Sequence, residues 1–394
     1  MKIRFVTPWY PDYAAIHSGV FVEKQVLALR ELGHFVTVTV PQIFPAPPGP
    51  IPRPVLDAMR ALSKRSPSAM FASDGDTTYV PTPVPSRGGF LGRAQAMSQS
   101  LALLDDLLTG PVDLTHAHVA MPAGWAVAQI HESTPLVITE HWSGLATIFN
   151  DPVAVDAYAE VVRRADAFIC VSNHLRHQIA DALGEWVLGR IEVVPNIVDL
   201  SEIRFVRRDT YPFSRWIYVG GLMAHKGVQA LLRAFDQYVK GHDESATLTL
   251  VGDGPLRRWI ETFAASRGLA GVVTVAGTVE HIRLADFLDQ ANVMVHLSPA
   301  ETFGIASLEA IGAGLPVVSL RNSGAVGAWG EIEPQCGALL DLESSAADVA
   351  NAVAALRRVP DGLDLAAGRA FVEEHFSPHV IAERLAGVYR RVLG

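Results

Sequence analysis

Short apolar runs rich in β-branched residues alternate with amphipathic helical patterns along almost the whole chain, and few architectures accept that alternation. Predicted strands lie at residues 3–7, 36–40, 77–80, 113–116, 136–139, 168–171 and 191–194 in the first half. In the second half they lie at 216–219, 247–251, 272–276, 293–297 and 317–320. Their near-continuous apolar character is that of parallel strands covered on both faces. Between them, Val228, Leu231, Leu232, Phe235 and Tyr238 fall on one helical stripe, and segment 20–32 stops at Gly33, a helix-ending residue. The class implied is α/β, with open, doubly wound, parallel sheets.

At 394 residues the chain is too long for one comfortable core, so two domains are expected. The alternation pauses over 199–212, a polar stretch with Arg204, Arg207, Arg208 and Asp209. This places a first domain at 1–203 and a second at 204–375. A final helix within 376–394, following Phe376-Ser377-Pro378, is expected to cross back to brace the first. Hydrophobic residues make up 49% and charged residues 19%, the balance of a globular chain. A net charge of −9 argues against a nucleic-acid partner, which would need a basic footprint. The two cysteines, Cys170 and Cys336, have no metal-type spacing and make no disulfide framework, which suits a reducing compartment. The opening MKIRFVTPWYP reads as a strand and a Pro-rich loop rather than a signal peptide, and no run of about 18 apolar residues occurs, so a cytoplasmic protein is expected.

Residues 42–95 stand apart, with ten prolines and six basic against three acidic residues. Val55, Leu56, Met59 and Leu62 can form an apolar helical stripe near Arg53, Arg60, Lys64 and Arg65. Two readings stay open: a plain surface excursion, which is favoured, or peripheral contact through residues 51–65 with an anionic membrane, at its inner face, where a lipid-linked acceptor waits.

Two dinucleotide signals are missing. Gly252-Asp253-Gly254 continues with Pro255-Leu256-Arg257, so no G-x-G-x-x-G opens a helix, and Lys226 is followed by Gly227-Val228, so there is no P-loop. What the second half does contain is three loops at the carboxyl ends of predicted strands, the ligand edge of an open parallel sheet. The first runs Val219-Gly220-Gly221-Leu222-Met223-Ala224-His225-Lys226-Gly227. Its paired glycines let backbone approach a phosphate, and Lys226 offers it a charge at a helix start; alternatively this is an ordinary turn with a surface lysine. The second, Val251-Gly252-Asp253-Gly254-Pro255, is by itself an ordinary turn. The third, Ser298 to Ala310, places Glu301, Thr302 and Phe303 before a helix beginning at Gly304 and Ile305, whose first N–H groups suit a diphosphate. Glu309 lies inside that helix among apolar neighbours and needs donors, either a ribose diol or a structural partner.

The spacing Glu301-x7-Glu309, with Phe303-Gly304 between and Gly312-Ala313-Gly314-Leu315-Pro316-Val317-Val318 after, resembles the signature of glycosyltransferase family 4. VGGLMAHKG and VGDGPL fit the same family in the same order, as do Val194-Pro195-Asn196-Ile197-Val198-Asp199 and Val171-Ser172-Asn173. The opening Pro8-Trp9-Tyr10-Pro11, followed by Ser18-Gly19-Val20-Phe21-Val22-Glu23-Lys24-Gln25, is similar to members that build bacterial surface polysaccharides. The resemblance spans nearly the whole chain except residues 42–95.

The resemblance implies a GT-B fold: two Rossmann-like, doubly wound domains facing a central cleft, with the donor nucleotide in the second and the acceptor in the first. It implies transfer of a hexose-type sugar from a UDP- or GDP-sugar to a hydroxyl with retention, without a metal or other cofactor. The acceptor is a small molecule, a glycan or a lipid-linked sugar, in polysaccharide, glycolipid or secondary-metabolite synthesis. Lys226 would hold the diphosphate, Glu309 the ribose, and Glu301 the hydroxyls of the transferred sugar. Backbone N–H groups near Phe303-Gly304-Ile305 would hold phosphate oxygens, with Gly220, Gly221, Gly252 and Thr302 around the donor. Gly19 would line the cleft, and His141, in Thr139-Glu140-His141-Trp142, would sit near the sugar. Many members carry arginine where this chain has Gly221, which throws the diphosphate clamp onto Lys226 or another cation.

His116 and His118 form a His-x-His at a strand end, but a metal hydrolase needs further ligands in a barrel, so they are acceptor-side candidates or structural. The two glutamates could also be the acid pair of a glycoside hydrolase, yet they sit beside phosphate-holding features that such an enzyme does not need. A nucleotide-sugar epimerase and a non-catalytic nucleotide-sugar-binding regulator remain as rivals on the same architecture.

Overall fold

A computed structural model describes residues 1–11, 18–46, 72–85, 89–108, 111–130, 133–206, 213–356 and 362–394. The chain divides into two compact units, one formed by Met1–Pro195 with Ile381–Gly394 and the other by Asn196–Val380.

The first unit is built on eight strands. These are β1 (Lys2–Val6), β2 (Phe35–Ala46), β3 (Ala72–Asp74), β4 (Thr77–Pro85), β5 (Leu114–His118), β6 (Leu136–Glu140), β7 (Ala167–Cys170) and β8 (Ile191–Val193). Their order is β3-β4-β2-β1-β5-β6-β7-β8, and every pairing is parallel except β3 with β4. Every residue of β5, β6 and β7 is buried, including the polar Thr115, His116, His118, Thr139 and Glu140, as expected of strands covered on both faces. After β1 the chain builds outward through β2 and β4, then returns to the other side of β1 with β5. The carboxyl ends of β1 and β5 therefore flank the crevice where a doubly wound sheet accepts ligands.

The second unit carries β9 (Arg215–Val219), β10 (Thr247–Val251), β11 (Val273–Gly277), β12 (Val293–His296), β13 (Val317–Leu320) and β14 (Gly337–Leu340). They are ordered β11-β10-β9-β12-β13-β14 and all parallel, with the switch point between β9 and β12. The predicted stripe Val228, Leu231, Leu232, Phe235 and Tyr238 is fully buried on helix Val228–Gly241. Its rings meet β9, with the Trp216 ring 5.4 Å from that of Phe235 and 4.9 Å from that of Tyr238. Each such side chain contributes about 1.5–3 kcal/mol by leaving water.

The structure departs from the sequence expectations at several places. β14 is not foreseen, because Gly337-Ala338-Leu339-Leu340 carries no β-branched residue and follows a Pro-containing turn. β2 and β4 run past the expected 36–40 and 77–80 and pair to Ala46 and Pro85 despite their prolines. Proline survives there because β1 pairs with β2 only as far as Thr39, and β3 with β4 only as far as Tyr79. The division between units falls at Pro195, earlier than position 203, since Asn196–Ile203 packs into the second unit; Leu200 covers Gly312 so closely that a Cβ there would lie 2.5 Å from its Cδ1. The last helix spans Pro378–Leu393, and from Ile381 onward it groups with the first unit. Residues 51–65, the membrane contact read from sequence, lie outside the described residues. Among the described residues no helix is long and apolar enough to cross a membrane.

Candidate active site

In the second unit the first and third loops read from sequence emerge side by side, from β9 and β12, at the switch point. Gly220 N–H donates to the Val251 carbonyl and Leu222 N–H to that of Asp253, which ties the first loop to the one containing Gly252. A single 3-10 turn, Ala224–Lys226, then ends at Gly227 with φ 71°. A Cβ at Gly227 would lie 1.8 Å from the Leu297 carbonyl oxygen, so only glycine lets this loop lie on the end of β12. The consequence is local and electrostatic. Lys226 Nζ reaches Glu301 Oε1 at 2.8 Å, with the two side chains 24% and 14% exposed.

The Glu301 loop is itself held from behind. Ser298 Oγ donates to the Ala300 carbonyl, and Asn322 Nδ2 donates to the Ser298 carbonyl. Below Glu301, His296 is buried with its Nε2 3.9 Å from Oε1 of that carboxylate, and the Tyr218 ring stacks on it at 5.4 Å. Burial lowers the His296 pKa, with Lys226 adding to the effect and Glu301 opposing it, so this imidazole is neutral at pH 7. Tyr218 Oη donates to the Gly221 carbonyl, which sets the glycine pair over the strand end.

Thr302 and Phe303 lead into Gly304, the N-cap of helix Ile305–Gly312, and Phe303 is buried edge-on to Phe376 at 5.2 Å. No side chain caps this helix, which leaves its first N–H groups for an anion. One turn further on, Glu309 is buried, and its Oε1 lies 2.7 Å from Nε2 of His281. His281 opens helix His281–Gln290, which follows β11. The sequence does not single it out, since a lone histidine in a polar turn carries no signal beyond its position after a strand at the ligand edge.

In the first unit, Gly19 is buried and precedes helix Val20–Glu31 with φ 68°. A Cβ there would lie 2.0 Å from the Trp9 carbonyl oxygen, so glycine alone lets the helix start against the loop from β1. Near the ends of β5 and β6, three histidines form a buried row. His116 and His118 ring centroids are 4.4 Å apart, and those of His118 and His141 are 5.2 Å apart. His118 Nδ1 and His141 Nε2 share a hydrogen bond at 3.0 Å. His116 lies inside β5 rather than at its end, with Nδ1 bonded to Tyr389 Oη and Nε2 to Thr139 Oγ1, both at 2.7 Å. Neither nitrogen is left for an acceptor, so the acceptor-side reading of His116 gives way to a structural one. His118 is equally enclosed, and its Nε2 has no hydrogen-bond partner among the described residues. Burial lowers the His116 pKa to about 3 and that of His118 well below the usual value, with neighbouring histidines adding to each shift.

Glu140, which the sequence likewise leaves unmarked, organises this corner. It accepts hydrogen bonds from the N–H groups of Ala120, His141 and Trp142 and from Tyr158 Oη. Its burial raises its pKa while those four donors oppose the shift. His141 is thus presented by a backbone clamped at both sides, with the Phe21 ring 4.6 Å from its own. Among the described residues no group of three or more His, Cys, Asp or Glu side chains is arranged to hold a metal ion.

Comparison with known proteins agrees with this architecture. Residues 18–202 match the family model described as Glycosyltransferase Family 4, and residues 211–360 match Glycosyl transferases group 1. Glycogen synthase of Mycobacterium tuberculosis is 30% identical over 297 residues, covering 70% of this chain and 68% of that one. The 2-deoxystreptamine glucosyltransferase of Streptomyces kanamyceticus is 27% identical, over 72% of this chain and 79% of its own. Among solved structures, sucrose-phosphate synthase from Thermosynechococcus elongatus superposes with a TM-score of 0.75 at 19% identity, covering 99% of this chain and 98% of that one. Anabaena HepE, in complex with UDP and glucose, gives 0.68 at 17% identity, covering 99% and 100%. The two parallel-sheet units are those of the GT-B fold.

Proposed function

The chain belongs to the family 4 glycosyltransferases, and on that premise we propose that it transfers a hexose-type sugar from a UDP- or GDP-sugar to a hydroxyl, with retention and without a metal ion. The observation that carries the proposal is the cluster at the β9/β12 switch point: Lys226 on Glu301, an uncapped helix start at Gly304, and buried Glu309 one turn beyond. Breaking the bond between sugar and diphosphate puts negative charge on the leaving phosphate. Lys226 and the first N–H groups of helix Ile305–Gly312 stabilise that charge. Glu309 accepts the two ribose hydroxyls, and Glu301 orients the transferred sugar through its own. His141, its backbone held by Glu140, is the first unit's candidate for a role toward the sugar.

Glu301, the carboxylate nearest the sugar on this reading, is paired with Lys226 and given to the sugar hydroxyls rather than to attack on the anomeric carbon, so the acceptor enters on the face the diphosphate leaves. The acceptor is a small molecule, a glycan or a lipid-linked acceptor, and the reaction belongs in the cytoplasm. Thermal shifts across UDP, GDP and ADP sugars identify the donor, since a specific ligand stabilises the folded state by mass action. Proton NMR of the product from an α-linked donor then tests the chemistry. An α linkage formed in the presence of chelator is expected, whereas a β linkage or a chelator-sensitive reaction overturns the reading.

A further inference from the structure

We propose that His281 is a positioning residue that fixes the Glu309 carboxylate and thereby sets how strongly the protein selects for ribose hydroxyls on its donor nucleotide. This rests on the ribose role of Glu309 proposed above. The case begins with burial. Glu309 is 4% exposed, and a carboxylate at such depth must be hydrogen-bonded to be tolerated. His281 supplies a donor at 2.7 Å from Oε1. A carboxylate only accepts, so Nε2 of His281 carries the hydrogen.

Geometry gives that bond a consequence. A glutamate has three side-chain torsions, and the last of them is broad. Fixing one carboxylate oxygen to a ring whose backbone begins a helix removes that freedom. The carboxylate is then held in one orientation, which recognition of two adjacent hydroxyls requires. The two residues come from helices that follow different strands of the same sheet, 28 positions apart, so the contact is made by the fold rather than by local sequence. His281 is also 28% exposed at its side chain, so it can be replaced without opening the core.

The test is a cycle of two ligands and two variants, read by calorimetry. The ligands are the nucleoside diphosphate that binds best and its 2′,3′-dideoxy analogue. The wild-type protein is expected to prefer the ribose form by about ten- to a hundredfold. In His281→Ala this preference should fall to a few-fold through weaker binding of the ribose form, while affinity for the dideoxy form stays the same. His281→Gln, which keeps a donor, should restore much of the preference. With the full donor, KM should rise in His281→Ala while kcat at saturation holds. Equal weakening of both ligands, or full selectivity retained in His281→Ala, overturns the proposal. Failure of the underlying reading looks different: wild type would then bind both ligands equally, and both ideas fall together.

Discussion

Lys226 and Glu301, 75 positions apart, meet at 2.8 Å, so the cation assigned to the diphosphate is already neutralised by the carboxylate assigned to the sugar. On the proposed reading, a complete donor would replace both halves of this pair, with phosphate taking Lys226 and sugar hydroxyls taking Glu301. A nucleoside diphosphate stripped of its sugar supplies only the first half and meets Glu301 as a nearby like charge. If those roles hold, the pair would favour release of the nucleotide product. Glu301→Gln should tighten binding of the bare nucleoside diphosphate by about two- to fivefold, the scale of a partly exposed ion pair, while turnover falls steeply. Calorimetry with the nucleoside diphosphate decides it, and weaker binding in that variant would contradict the account.

Glu309→Ala should weaken the same ligand by about ten- to a hundredfold, the worth of a charged hydrogen bond. The substitution also leaves His281 Nε2 without its carboxylate partner, so part of the loss reflects reorganisation of the empty site. Affinity unchanged in Glu309→Ala would remove Glu309 from the nucleotide site.

Gly227→Ala probes the hinge of the cluster. It demands a left-handed conformation from alanine and places Cβ against the Leu297 carbonyl. The backbone conformation alone costs about 1–2 kcal/mol, and the steric conflict adds to it. Loss of melting temperature together with loss of nucleotide binding is expected. A variant with wild-type stability and affinity would show that the loop does not need this close approach.

Acid should destabilise the protein through the buried histidines. Folding depresses the pKa of His116 to about 3 and that of His118 well below its unfolded value near 6.5, by burial first and then by neighbouring histidines. The unfolded chain therefore binds more protons in this range. The stability these neutral rings retain is present above about pH 6.5 and is lost as pH falls toward 3. Each ring contributes a slope of up to about 1.4 kcal/mol per pH unit. Denaturant titrations between pH 7 and 5 should show it, and His116→Gln should flatten the slope by about one proton. A flat profile in the wild-type protein would mean that the row is charged or accessible.

Much of the fold is legible in the sequence because parallel strands buried on both faces must be continuously apolar. Residues 136–138 and Ala167–Cys170 are plain for that reason, and Gly337–Leu340 is not, lacking β-branched residues. Proline misleads where the strand is paired on one side only, as over Pro81, Pro83 and Pro85, which pair with β2 beyond the reach of β3. Glu301 and Lys226 are legible as candidates because a loop between strand and helix keeps its chemistry in consecutive residues, and Glu309 because it is an acid among apolar neighbours in the helix that follows.

By itself, then, the sequence determined the strand–helix alternation, the two-domain scale and the loops at the sheet edges, since each follows from local periodicity and from short motifs. Tertiary structure alone decided which side chains meet. His281 on Glu309, Tyr389 on His116 and the four donors on Glu140 join residues whose spacing in the chain carries no period. The physical reason is that a parallel sheet brings distant strand ends to one edge, where a buried polar atom must find a donor or acceptor from whatever element the topology sets beside it.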